Sequence, residues 1–108
     1  MIIDLERSTF QNKPAYRYIR ESDKLPVEAP EDAMALVKLF DPCGAWTWYL
    51  ASYNPETREC FGLVHGFEEE YGYISMEELV KIRGRFGLPI ERDLHWKPRP
   101  LNQCFGAP

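Results

Sequence analysis

Long apolar runs are absent from this sequence of 108 residues. No stretch approaches the roughly 20 consecutive apolar residues that a membrane-spanning helix requires. The N-terminal segment MIIDLERSTF lacks the basic stretch and the long apolar stretch of a signal peptide. These absences predict a cytoplasmic protein that makes no contact with a membrane.

Cysteine pairs, metal-ligand motifs and phosphate-binding loops are also missing. Cys43, Cys60 and Cys104 show no C-x-x-C spacing and leave one thiol over if two of them pair, which favours reduced cysteines. His65 and His95 lie far apart in the sequence, without the closely spaced second ligand that a zinc motif needs. No glycine-rich phosphate loop occurs. We therefore expect neither a metal nor a cofactor.

A single domain is the expected organisation. Apolar residues make up 44% of the chain and aromatic residues 14%, enough for one core, whereas the length is too short for two. Proline and glutamate are enriched in residues 24–32, which predicts a linker. The sequence thus predicts an N-terminal arm and linker over residues 1–33, with a short strand at 15–21, and one domain over residues 34–108.

The net charge of −4 is unevenly distributed along the chain. Residues 1–80 carry a balance of −8, and residues 81–108 carry a balance of +4. The basic end suits contact with an anion, but the acidic remainder would repel a long nucleic-acid duplex. Two complementary patches that meet within the molecule or in a dimer explain the same distribution. The charge distribution therefore does not distinguish a monomer from an oligomer.

Three strands are predicted in the first half of the domain, at residues 35–40, 45–53 and 59–66. The second of them carries apolar side chains on both faces, as a central strand does. Asn54 and Pro55 suit the first two positions of a type I turn, so the second and third strands should form a hairpin. Gly62 in the third strand predicts either a bulge or a close approach of neighbouring atoms to the backbone.

A capped helix is predicted next. Residues 67–74 read as a loop, after which Ser75 and Glu78 form a capping box. Apolar residues at helical spacing and Gly84 at the end predict a helix over Met76–Arg83. The fold class expected from these elements is α+β, a small and mostly antiparallel sheet of three or four strands with the capped helix packed on one face.

The segment FGLPIERDLHWKPRP has two interpretations. If residues 90–96 are extended, Glu91, Asp93 and His95 share the outer face of a strand. Alternatively, one helical turn begins at Pro89 and is followed by an extended pair. Residues 97–100 contain two prolines, which predicts that the chain leaves the sheet there.

Four ordered blocks of residues occur between positions 34 and 101: VKLFDPCGAWTWYL, YNPETRECFGLVHG, GYISMEELVKIRG and FGLPIERDLHWKP. At these intervals the chain resembles a small uncharacterised bacterial family that is common on plasmids, phages and other mobile elements. The residues before Met34 have no counterpart in that resemblance. It implies no catalytic residues. It implies a context in which small proteins act against host defence systems, or assist replication and transfer, by binding a host protein.

Binding to a host-encoded or element-encoded protein is therefore the expected function, with inhibition of a host defence complex as its sharpest form. Aromatic and charged residues beside each other are typical of interface anchors. The first candidate patch combines acidic and tyrosine residues: Glu68, Glu69, Glu70, Tyr71 and Tyr73. The second candidate patch lies in the basic end: Arg92, Asp93, His95, Lys97 and Arg99.

Two alternatives remain open. Basic residues around Trp96 have the composition of a single-strand nucleic-acid site, which predicts an accessory nucleic-acid-binding protein. Asp93 and His95 on one strand face would orient a general base, which predicts a minimal enzyme. Ser75 and Cys60, the candidate nucleophiles, are better explained as a helix cap and a strand residue. The expectation accordingly leans towards a protein without enzymatic activity.

Overall fold

The structure is a computed structural model that describes residues 4–8 and 17–106. These residues form short strands, one turn of α-helix and three turns of 3-10 helix. The strands and the helix are, in chain order, β1 (Asp4–Arg7), β2 (Arg17–Arg20), β3 (Met34–Ala35), β4 (Val37–Phe40), β5 (Thr47–Leu50), β6 (Glu59–His65), β7 (Glu69–Ser75), α1 (Met76–Leu79), β8 (Glu91–Arg92) and β9 (Arg99–Pro100).

A five-stranded antiparallel sheet in the order β7-β6-β5-β4-β8 is the centre of the fold. The predicted hairpin joins β5 to β6, and the Asn54 side chain accepts a hydrogen bond from the Glu56 amide at 2.9 Å. Ala51 and Ser52 both donate from their amides to the Phe61 carbonyl, at 2.9 and 3.3 Å, which marks a bulge at the end of the ladder. The three strands predicted in this region are confirmed.

Both faces of the sheet are covered. Every residue of β5 is buried, as the apolar pattern on both of its faces predicts. The first face carries a cluster that includes Trp48, Leu50 and Cys60, and α1 packs there through Met76 and Leu79. On the second face the cluster consists of Ala35, Tyr49, Ala51, Leu63, Leu101 and Cys104. The central strands are thus fixed from two sides.

The predicted α+β class is wrong, because the helix is a single turn and the described residues are mostly β-structure. The Ser75 cap is confirmed, since its hydroxyl accepts from the Glu78 amide at 3.3 Å. Beyond Leu79 the backbone bonds of Lys81 and Ile82 shift to three-residue turns. Residues 81–83 are all exposed, so a second helical turn would bury no apolar surface, and very short helices depend on such packing.

Two further local predictions are wrong. Residues 67–74, read as a loop, contain most of β7, in which Ile74 faces the core while alternate residues are half-buried or exposed. Residues 97–100 do not simply leave the molecule, because Arg99 and Pro100 form β9 and pair with β3. In each case the strand lies at the edge of a sheet, where glutamate and proline are tolerated on the unpaired side.

An N-terminal hairpin of β1 and β2 packs on the first face of the sheet. Tyr18 and Ile19 are fully buried there, and the Tyr18 hydroxyl donates to the Ile90 carbonyl at 2.6 Å. The predicted strand at 15–21 is present as β2, with residues 15 and 16 outside the described residues. The division of the chain at residue 33 stays a prediction.

Candidate binding groove

An elongated groove runs beside the edge strand β7. Its first part is a concavity of about 620 Å³ lined by residues that include Trp46, Val64, Phe67, Glu70, Gly72 and Tyr73. Its second part, about 480 Å³, shares Trp46, Val64 and Tyr73 and continues to Ile74, Leu79 and Ile82. We call the two together the Trp46 groove. It follows the first face of the sheet from the β6–β7 turn to the end of α1.

Aromatic side chains form one end of the Trp46 groove. Trp46 contacts Phe67 edge-to-face at a centroid distance of 5.3 Å, and it contacts Trp48 at 6.0 Å. Phe67 is 94% exposed although it is one of the largest apolar side chains in the protein. Trp46 itself is 36% exposed. Large apolar side chains displayed together mark an interaction surface more often than scattered ones do.

Glycine opens the floor of the groove. Gly72 lies directly opposite Gly62 in the β6–β7 pairing, and an added Cβ at position 72 would meet no atom within 4 Å. A side chain there would fill the concavity instead of clashing with the sheet. The space beside β7 is therefore produced by the sequence itself, through the absence of one side chain.

Acidic residues surround the groove. Glu68 and Glu70 line its first part, and Glu59 and Glu78 line its second part; all four are exposed. None of them forms an ion pair with a described residue, and no lysine or arginine lines either part. Like charges held close together favour the approach of a cationic partner. The groove thus combines apolar contact area with a negative rim.

The first candidate patch is divided by the strand. Glu68 and Glu70 line the groove, whereas Tyr73 only borders it, because its ring lies on the second face and contacts Phe61 at 5.5 Å. Glu69 contacts the His65 imidazole at 3.3 Å and accepts from the Gly106 amide at 2.7 Å. Tyr71 is half-buried on the second face, because alternate residues of a strand point to opposite sides.

Tyr71 packs between two phenylalanines. It stacks on Phe61 at 6.1 Å and contacts Phe105 at 5.2 Å. Burial and nearby negative charge raise its pKa. The sequence reading missed Trp46 and Phe67 as members of the site. An exposed aromatic in the turn before β7 was the available signal.

A family model covers most of the chain. It matches residues 10–103, and its description is Protein of unknown function (DUF2958). The chain belongs to the DUF2958 family. No match to a curated protein or to a solved structure was found. Because the match begins at residue 10, the expectation that the residues before Met34 have no counterpart in the family is wrong.

In this DUF2958 chain the second candidate patch is engaged within the fold. Arg92 forms two hydrogen bonds with the Asp23 carboxylate, at 2.7 and 2.8 Å, and a third with the Tyr18 carbonyl at 3.2 Å. Arg99 lies over the Trp96 ring at 5.2 Å, and Lys38 lies over the same ring at 5.4 Å. Of the five residues, His95 and Lys97 are exposed.

The Asp93 carboxylate does not orient the His95 ring in the DUF2958 chain. One oxygen accepts from the His95 main-chain amide at 2.9 Å, and the other lies 3.7 Å from the Lys38 ammonium. A general base needs its partner on a ring nitrogen, and a loop-type contact to the backbone does not supply that. The pair is accounted for as a turn that follows β8.

The described residues contain neither a cluster of metal ligands nor a membrane-spanning helix. Between residues 17 and 106, and in residues 4–8, no three histidine, cysteine or carboxylate side chains gather where they could hold a metal ion. The same residues include no helix long and apolar enough to span a bilayer. Cys43, Cys60 and Cys104 are all unpaired, and burial raises the pKa of the Cys60 thiol.

The Asp23–Arg92 pair should make stability depend on pH. Burial by itself raises the pKa of Asp23, but hydrogen bonds from Arg92 and from the Arg20 amide outweigh it, so the pKa lies below the ordinary 3.8. Stabilisation by this carboxylate is complete above that value and is lost as the pH falls below it. We expect Asp23→Asn to lower the free energy of unfolding at pH 7. The difference in free energy of unfolding between this variant and wild type should be smaller at pH 3.

Urea unfolding at pH 7, 5 and 3 measures this effect. Glu56→Gln is the matched control, because Glu56 is an exposed turn residue without an ion pair among the described residues. Its unfolding curve should follow that of wild type at each pH. A constant gap between wild type and Asp23→Asn across the three values would contradict the assigned role.

Proposed function

We propose that this protein binds another protein through the Trp46 groove and has no catalytic role. The observation that carries the proposal is the exposure of Phe67 and Trp46 beside a concave apolar surface. Aromatic side chains supply large contact area with few rotatable bonds, so they dominate the energy of many interfaces.

The negative rim supports a cationic partner surface. Glu68 and Glu70 at one end, with Glu59 and Glu78 at the other, would meet lysine or arginine side chains around an apolar centre. Opposite charges at an interface rim speed encounter and reject partners of the wrong sign. The same carboxylates would repel nucleic-acid phosphates, which disfavours the nucleic-acid alternative at this surface.

We also propose a cellular location and a class of partner. Unpaired thiols suit the reducing cytoplasm, which supports a cytoplasmic location. The resemblance to proteins of mobile elements supports inhibition of a host defence complex as the specific form of binding. The enzyme alternative has less support, because the Asp93 carboxylate bonds to backbone and to Lys38.

Phe67→Ser should weaken binding without unfolding the protein. In the experiment, the wild-type chain is used to capture a partner from nuclease-treated bacterial lysate, and the purified partner is then titrated against each variant. We expect Phe67→Ser to raise Kd at least about 10-fold, a loss of about 1.4 kcal/mol. Because the Phe67 side chain is mainly exposed, the free energy of unfolding should change by less than about 1 kcal/mol.

Leu94→Ser supplies the matched control. Leu94 is 73% exposed but lines neither part of the groove. Its Kd should equal that of wild type. Equal weakening by Leu94→Ser and by Phe67→Ser would show that binding does not occur at the groove. A partner that is captured only without nuclease treatment would point to nucleic acid instead.

A further inference from the structure

The outer side of β7 presents unpaired main-chain groups. The Ala51 amide donates to the Phe61 carbonyl at 2.9 Å, so the odd-numbered residues of β6 direct their main chain towards β5. Because this direction alternates along a strand, the main-chain groups of Gly62 and Val64 point towards β7, where Gly72 and Glu70 pair with them. The N–H and C=O groups of Tyr71 and Tyr73 consequently point away from the sheet. In the described part of the chain, β6 is the only strand that pairs with β7.

This edge lacks the protection that the opposite edge has. β8, at the other end of the sheet, is two residues long and lies between Pro89 and Pro98. β7 is seven residues long and contains no proline, and its only charged residues are the two glutamates at its start. Long exposed edges without proline or a bulge accept a strand from another chain, and charged residues decide which strands they admit. The edge is therefore positioned to receive a strand that is not acidic.

The Trp46 groove lies along the same edge. Gly72 forms its floor, and Glu70 lines it from the strand that would be extended. In a strand added beside β7, alternate side chains would point to the first face of the sheet, into the groove. Main-chain hydrogen bonds would then supply affinity, and the groove would supply specificity for the side chains, as in other cases of strand addition.

The negative charge of the β7 edge favours a basic binding segment over a second copy of this chain. A second copy of β7 would bring another Glu68–Glu70 run to the same edge, and clustered like charges destabilise strand pairs. A basic segment would instead neutralise the rim. Its apolar side chains would meet Trp46, Val64 and Phe67.

We propose that the partner binds as an added strand: an extended segment whose groove-facing residues are apolar at the centre and basic at both ends pairs with the outer edge of β7 and places its apolar side chains in the Trp46 groove. This inference rests on the protein-binding function proposed above and specifies its mode. It assigns the affinity to main-chain hydrogen bonds as well as to the aromatic anchors.

A synthetic peptide tests the mode directly. The probe is a blocked seven-residue peptide with lysine at its first and last positions, valine at the third and fifth and threonine at the other three, titrated by fluorescence anisotropy at constant ionic strength. Two derivatives carry N-methyl groups, one on the amides of the odd positions and the other on the amides of the even positions. In an extended strand only one of these two sets faces β7. We expect one derivative to lose at least about 10-fold in affinity and the other to stay within about 2-fold of the parent.

The asymmetry between the two derivatives is decisive because their charge and side chains are the same. Equal affinities for both derivatives, or no binding of the parent peptide, would overturn strand addition. The proposed function is tested separately by Phe67→Ser with the captured partner, so it survives that result if its own dependence on Phe67 holds. Glutamate in place of lysine in the peptide should abolish binding.

Two protein variants complete the test. Gly72→Leu should abolish peptide binding by filling the groove, since no atom lies within 4 Å of its Cβ position to disturb the fold. Tyr73→Pro removes one outward N–H without removing a bond to β6, and it should weaken the peptide similarly. Sedimentation of the wild-type chain should show a monomer. A dimer that Tyr73→Pro dissociates would assign the edge to a second copy and overturn the proposal.

Discussion

Replacing Gly62 by alanine should lower the free energy of unfolding by about 3 kcal/mol or more, because overpacking against backbone leaves no soft neighbour to move. The new Cβ would overlap the Tyr49 carbonyl oxygen and lie 3.0 Å from its carbon and 3.3 Å from the Leu50 Cα. All three are main-chain atoms of β5. Relief of the overlap would require separation of β5 from β6, the two strands at the centre of the sheet.

Gly72→Ala is the matched control for this substitution. Gly72 sits directly opposite Gly62 in the same sheet, and its added Cβ meets no atom within 4 Å. Alanine restricts the unfolded chain more than glycine does, so the change should be neutral or stabilising by up to about 1 kcal/mol. Guanidinium unfolding of both variants measures the difference. Equal destabilisation by the two substitutions would contradict the steric explanation.

The different roles of these two glycines show what the sequence could and could not predict. A glycine within a strand of large residues indicates either a bulge or a close approach, and at Gly62 it is the close approach that occurs, since the bulge lies opposite β6 at Ala51 and Ser52. The identity of the close atom, a backbone carbonyl, depends on the twist of the pair and is not encoded in one residue. Gly72 lies in a segment that the sequence predicts as a loop, so its role in the groove could not be predicted.

Strand prediction succeeded where both faces are buried and failed at the edge. β5 and β6 are rich in large apolar residues with a turn sequence between them, so the local pattern and the tertiary environment agree. β7 begins with glutamates, which local preference places in a loop. Its pairing with β6 and its unpaired outer side make those glutamates acceptable. Such tertiary compensation cannot be seen in a window of seven residues.

The extent of α1 depended on its surroundings in the same way. The Ser75 cap was predictable, since it depends on residues three apart in sequence. The stop after Leu79 was not, because it reflects where the sheet offers apolar surface. The groove residues depended on folding in the same way: Glu68 and Glu70 belong to the predicted patch, but Trp46 comes from a distant loop that folding brings beside them.

Removal of the Arg58 guanidinium should also destabilise the protein strongly. Glu6 in β1 is almost fully buried, and Arg58 donates to its two oxygens at 2.9 and 2.7 Å, while the Tyr53 hydroxyl donates at 2.6 Å. The hydrogen bond to Glu6 raises the pKa of Arg58, whereas burial is the main cause that raises the pKa of Tyr53. We expect Arg58→Ala to lower the free energy of unfolding by about 3 kcal/mol, because a buried carboxylate would lose its counter-ion.

A second substitution should restore part of that loss. Glu6→Gln removes the charge but retains an acceptor for Tyr53, so the double variant Glu6→Gln/Arg58→Ala should be more stable than Arg58→Ala alone. Urea unfolding of the four proteins in this cycle measures the coupling. Additive losses would show that the two side chains do not interact energetically, and that the hairpin of β1 and β2 is held to the sheet by apolar contacts such as those of Tyr18 and Ile19.

Arg58→Gly separates the ion pair from the backbone conformation. Arg58 has a φ of 58°, in the left-handed region, where a side chain costs about 1 kcal/mol relative to glycine. Both Arg58→Gly and Arg58→Ala remove the guanidinium, so their difference reports the backbone term alone. We expect Arg58→Gly to be the more stable by about 1 kcal/mol. The native arginine therefore occupies a conformation that favours glycine, and the ion pair with Glu6 outweighs that cost and ties the first strand of the chain to the β5–β6 hairpin.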